Sequence, residues 1–93
     1  MNKLETLSLI EGNFSEEEAW EILMALYSAK INFHRMRDFS SRERFGRPDE
    51  AAQKRIPELQ KEKEKVSQIV SEAKSKNKRL IITSGIELCL SDD

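Results

Sequence analysis

The chain has 93 residues, 35% of them charged and 38% hydrophobic, with a formal net charge of −1. That length predicts one domain with a thin core, and the hydrophobic share excludes disorder throughout. A single cysteine, Cys89, excludes an intramolecular disulfide framework, and a pI near 5.9 speaks against a generally basic nucleic-acid-binding domain.

The charge is spread unevenly. Residues 1–30 carry six acids against two bases, and residues 79–93 three acids against one base. Residues 31–47 carry five arginines against two acids, and residues 48–78 eight bases against six acids. The middle is basic and the ends are acidic. The opening MNKLETLSLIEG lacks the apolar run of a signal peptide. No apolar run approaches the roughly 20 residues of a membrane span. A soluble, cytoplasmic protein with no membrane partner is expected.

Leu4–Ile10 is the first strand candidate. Leu7 and Leu9 alternate with Thr6 and Ser8, but Leu4 and Ile10 fall on the other parity, which calls for a bulge or for burial on both faces. Glu11-Gly12-Asn13 reads as the break after it. Ser15 with Glu18 has capping-box spacing, and Glu16, Glu17 and Glu18 suit the positive end of a helix dipole. A helix from residue 16 follows.

Two apolar rows run along that helix. Ala19, Ile22, Leu26, Ala29, Phe33 and Met36 form a heptad-like seam in steps of three and four, and Trp20, Met24, Tyr27, Ile31 and His34 form a second row beside it. A helix with two apolar faces touches two neighbours. The seam fails after Phe39, so the helix either bends near 39–41 or runs to Phe45 and stops on Gly46. The first alternative makes residues 40–48 an arginine-rich turn.

A second helix, 49–76, starts at Pro48 or Asp49. Ala52, Ile56, Leu59, Val66, Val70 and Ala73 repeat the three–four spacing if Lys63 fills the gap between Leu59 and Val66. Pro57 predicts a kink, or two helices meeting there. Lys61–Glu64 and Glu62–Lys65 have the spacing of surface ion pairs, and Asn77 is suited to end the helix. Residues 79–90 read as a strand, with Leu80, Ile82, Ile86, Leu88 and Leu90 on one parity and Gly85 marking a bulge or close approach.

The fold class is therefore α+β and mainly helical, a long antiparallel helical hairpin flanked by N- and C-terminal strands in the order β-α-α-β. The terminal strands pair antiparallel, roughly 40 Å from the reversal between the helices. Two strands and an uncovered helix row make a marginal sheet with open edges. A homodimer that completes the core is expected.

Chemistry-bearing constellations are few. One His and one Cys with no ligand spacing give no metal site, and three isolated glycines give no phosphate loop. No cofactor and no catalytic residue are expected, and no enzymatic activity. Cys89 is expected to pack within the last strand, and His34 to sit packed and bonded through one nitrogen. The candidate binding residues are Arg35, Arg37, Arg42, Arg44 and Arg47, with His34, Phe39 and Phe45 among them.

Guanidinium forks recognise carboxylates and phosphates and stack on rings. Three readings of the cluster stand. The arginines pair with Asp38, Glu43, Asp49 and Glu50 and fasten the turn; they bind an acidic protein segment or a phosphate backbone; or His34 with its arginine neighbours does chemistry. A dimeric protein acting through protein–protein contact is the leading functional expectation. A nucleic-acid accessory protein is the alternative.

Overall fold

Two polar side chains set where the helices start. In the computed structural model, which describes residues 4–92, Ser15 Oγ accepts the Glu18 backbone N–H at 3.1 Å, and Glu18 Oε1 accepts the Ser15 N–H at 2.9 Å. Two otherwise orphaned donors of the first turn are thus satisfied reciprocally. The Ser15 backbone N–H, then its side chain, holds the Glu18 carboxyl below its usual range. Helix α1, Glu16–Phe45, begins here.

α1 carries through residues 39–41 without a break. It ends on Gly46, whose φ of 67° is left-handed and whose N–H donates to the Arg42 carbonyl at 2.9 Å. The arginine-rich segment is therefore mostly the last turns of α1, and residues 46–49 alone connect the helices. Losing the apolar seam did not end the helix. Arg42 and Arg44 lie at the negative end of the dipole, and Arg42 pairs with Asp38 one turn back.

Helix α2, Glu50–Ser75, is capped by Asp49, whose Oδ2 accepts the Ala52 N–H at 2.9 Å. It is one helix across Pro57, so the alternative of two helices falls away. Pro57 is exposed while Ala52 and Leu59 on either side are buried; their packing outweighs one missing backbone bond. At the far end Asn77 takes φ 54°, and Lys78 N–H reaches back to the Ala73 carbonyl at 2.8 Å. This is a Schellman closure, with asparagine in the left-handed position.

Strand β1, Leu4–Phe14, pairs antiparallel with β2, Leu80–Cys89, from Phe14↔Leu80 beside the helices to Leu4↔Cys89 at the far end. A register shift between Ser8 and Ile10 makes Leu9 the bulge residue. The bulge puts Leu7 and Ile10 on one face, opposite Ile86 and Ser84. β1 does not stop at Glu11: Glu11 to Phe14 pair with Thr83 to Leu80. Gly12 is no break, because its missing Cβ leaves room for the Phe14 ring, 3.1 Å from where that atom would lie.

The core is one seam wide. Among the described residues Ala19, Ile31, Ala52, Leu59, Val70 and Ala73 are the buried apolar side chains. Leu80, Ile82 and Thr83 lie with Leu23, Val66 and Ile69 over the groove between the helices. Beyond the bulge the ribbon leaves the helices, and Leu7 and Leu88 of its apolar face are about half exposed (50% and 53%). The chain is a slab of 50 × 35 × 15 Å with a radius of gyration of 16.7 Å, against about 12 Å for a compact chain of this length.

Arg79 closes the root of the ribbon. Its Nε donates to Asn13 Oδ1 at 2.8 Å, its Nη2 to the Asn13 carbonyl at 3.3 Å, and Nη2 lies 3.9 Å from Glu18 Oε1. One side chain thus joins the end of β1, the start of α1 and the start of β2. Ser15→Ala, which removes the cap beside this junction, is expected to cost about 1 kcal/mol in urea unfolding with an unchanged slope. An unchanged midpoint would contradict the role given to Ser15.

Candidate interaction site at the arginine-rich end

The end of the hairpin is organised by one carboxylate. Asp38 Oδ1 accepts the Asp49 backbone N–H at 2.9 Å and Gln53 Nε2 at 3.4 Å, and Oδ2 accepts Arg42 Nε at 3.0 Å. A side chain on α1 thereby holds the first residues of α2. The Asp49 N–H, followed by Arg42, keeps the Asp38 carboxyl below its usual range.

The arginines do not fasten the turn as a group. Among the described residues Asp38 is the one acid of the segment that pairs with an arginine, while Asp49 is occupied as the cap of α2. Arg35 lines the groove between the helices with Ser28, Ile31 and Lys63. Arg37 lies over the Phe33 ring, 5.8 Å from its centroid, and Arg47 over Phe45 at 6.0 Å. Such contacts are worth about 0.5–1 kcal/mol at exposed sites. Arg44 is exposed on the last turn of α1. Arg35, Arg37, Arg44 and Arg47 thus have no carboxylate partner among the described residues.

The eight candidate residues do not converge on one pocket. They wrap the end of the hairpin, with Phe39 and Phe45 strongly exposed (63% and 67%). Phe33 was missed as a member of the group, although its spacing of four from Arg37 was the available signal. His34 lies on the row toward α2 with Tyr27, Ile31 and Asp38. Its ring stands edge-on to Phe33, centroids 5.4 Å apart at 77°. Its Nδ1 is buried without a hydrogen-bond partner among the described residues, contrary to the expected bond.

The two rows of α1 have separate fates. The row with Ile31 at its centre faces α2: Ile31 is buried, and Tyr27 OH donates to Glu62 Oε1 at 3.0 Å. Burial, then the Glu62 contact, pushes the Tyr27 phenol up. The heptad-like row is covered at Ala19, half-buried at Ile22 and Leu26, and open from Ala29 onward, with Phe33 and Met36 at 51% and 62% exposed. Glu62 and Lys63 reach α1 at Tyr27 and Ser28. The expected Lys61–Glu64 and Glu62–Lys65 pairs are absent among the described residues, where Arg55–Glu58 and Glu72–Lys76 pair instead.

Cys89 is exposed at the end of β2 rather than packed; the ribbon has left the helices by that point. Among the described residues no three His, Cys, Asp or Glu side chains are grouped to hold a metal. No described helix is long and apolar enough to cross a membrane.

The folded pKa of Asp38 is lowered, and its unfolded value is about 3.9. A lowered carboxyl contributes stability that is complete above the unfolded value and lost as pH falls through the folded one. Asp38→Asn is therefore expected to lower the melting temperature at pH 7 and to flatten its fall below about pH 4. Melting curves of both proteins between pH 7 and 2.5 check this, and parallel curves would contradict it.

No protein-family model, no curated protein and no solved structure matches this chain.

Proposed function

We propose that the protein is a non-enzymatic interaction module that works as a homodimer. The observation that carries this is surface area. The chain exposes 7620 Å², where a compact monomer of this mass exposes about 5,500 Å². The difference, about 2,000 Å², exceeds the roughly 800 Å² that each partner gives to a standard interface. Much of it is apolar, including Leu7, Phe33, Met36, Phe39 and Leu88. These residues fall in two groups, one on the ribbon and one on α1, and exposed apolar groups of this kind mark interaction surfaces. No residue is assigned a catalytic role. The exposed thiol of Cys89 fits a reducing, cytoplasmic setting.

Sedimentation equilibrium at micromolar concentration is expected to give twice the chain mass of 10.8 kDa. A single species at the chain mass would sink the dimer.

A second reading rests on the four arginines without carboxylate partners. Guanidinium groups beside exposed rings are suited to phosphates and stacked bases, which would make the protein a nucleic-acid accessory factor. Binding would then weaken steeply with salt, and the triple change of Arg37, Arg44 and Arg47 to Ala would abolish it without unfolding the protein. Fluorescence anisotropy with single-stranded and duplex oligonucleotides at two salt concentrations tests it. No anisotropy change at 50 μM protein would remove this reading.

A further inference from the structure

Two surfaces face away from the core: the outer row of α1, half-buried at Ile22 and Leu26 and exposed at Ala29, Phe33 and Met36, and the half of the ribbon beyond the bulge. The outer row holds Ile22, Leu26, Ala29, Phe33 and Met36, in steps of four and three. Read from Ala29 it is nearly the same in both directions. Ile22 and Met36 lie seven residues to either side, with Leu26 and Phe33 between. Large side chains flank a small one, and alanine at a crossing point allows helix axes to approach within about 8 Å.

The charges along α1 are opposite at its two ends. Glu16, Glu17, Glu18 and Glu21 precede the row, and Arg37, Arg42 and Arg44 follow it. A two-fold axis at Ala29 sets the glutamate-bearing half of each α1 alongside the arginine-bearing half of the other, an attraction between ends rather than between matched ion pairs. Parallel packing would instead set glutamates beside glutamates and arginines beside arginines. The free half of the ribbon has no such complementarity, since the strand segments 4–8 and 85–89 hold Glu5 and Glu87 and no base.

We infer that a second copy of the chain docks antiparallel on the outer row of α1, centred on Ala29, with the arginine-rich end of each copy beside the glutamate-rich start of the other. This rests on the homodimer reading and names its surface. It also gives the arginines without carboxylate partners an acidic protein segment to meet, the first turns of the partner's α1. The apolar row gives the contact its area, and the charges give it direction.

The test uses the full chain. Ala29 is exposed, so Ala29→Glu leaves the monomer fold intact by circular dichroism and is expected to raise the dimer dissociation constant at least about 100-fold, as an unpaired charge in an apolar contact does. In a Cys89→Ser background, Ala29→Cys is expected to form a disulfide-linked dimer on mild oxidation. Ile22→Cys is expected not to link to itself, because antiparallel packing holds the two copies about 20 Å apart along the helix, beyond disulfide reach. It is expected to link to a Met36→Cys chain mixed with it.

A monomeric wild type would remove the homodimer and this interface together. A wild-type dimer that survives Ala29→Glu, with Ala29→Cys unlinked, would overturn the interface alone and move it to the ribbon. Self-linking of Ile22→Cys would overturn the antiparallel arrangement.

Discussion

The whole molecule hangs on one seam, the line where α1 meets α2. Its buried members are small or medium in size, Ala52, Ile31, Leu59 and Val70 among them, so the helices lie close but enclose little volume. Apolar burial at about 25 cal/mol per Å² is the main term holding such a pair together, and a seam this narrow has little to spare. A polar tie stands at each end of it. Asp38 joins α1 to the start of α2, and Arg79 joins α1 to both strands. These ties do not add much burial. They fix how far along each other the helices lie, which a narrow seam of small and medium side chains by itself specifies poorly.

Much of this arrangement was legible in the residues. The order of elements followed from two period-2 stretches enclosing two period-3.6 stretches, and Ser15 with Glu18 marked the start of α1 to the residue. The bulge was readable as a parity conflict between Leu7 and Ile10, although its position at Leu9 was not. Gly12 misled as a strand break, and Pro57 left open whether one helix or two would follow Asp49. At Gly12 the space is taken by the Phe14 ring two residues along the same strand, and at Pro57 the packing of Ala52 and Leu59 holds one helix together. Which row of α1 would meet α2 could not be read, because both rows have the same spacing. The stronger-looking row turned out to be the one left largely open.

The candidate site shows the same division. Arginines, phenylalanines and acids crowded between residues 31 and 50 were visible at once, but pairing depends on rotation about a helix and on which acids are taken. Asp49 was lost to capping and Asp38 was shared among three donors, Arg42, Gln53 and the Asp49 N–H, which left most of the guanidinium groups facing rings or solvent. His34 shows the limit from the other side. Its place on an apolar row predicted burial, and nothing in the sequence indicated that its Nδ1 would lack a partner there.

The placement of the two strands at opposite ends of the chain has a consequence for how the molecule is made. The closing pair, Phe14 with Leu80, is separated by the whole helical hairpin, so the ribbon gains nothing until that hairpin has brought its ends together. Loop-closure entropy falls on this step, and helices form locally in microseconds or less. Assembly therefore runs from the helices to the root of the ribbon and then outward to Leu4 and Cys89, the pair formed last. Growing at the ribosome, β1 leaves the exit before the two helices and before β2, its one partner strand among the described residues. Until β2 emerges, the whole of β1 is a strand with two unpaired edges.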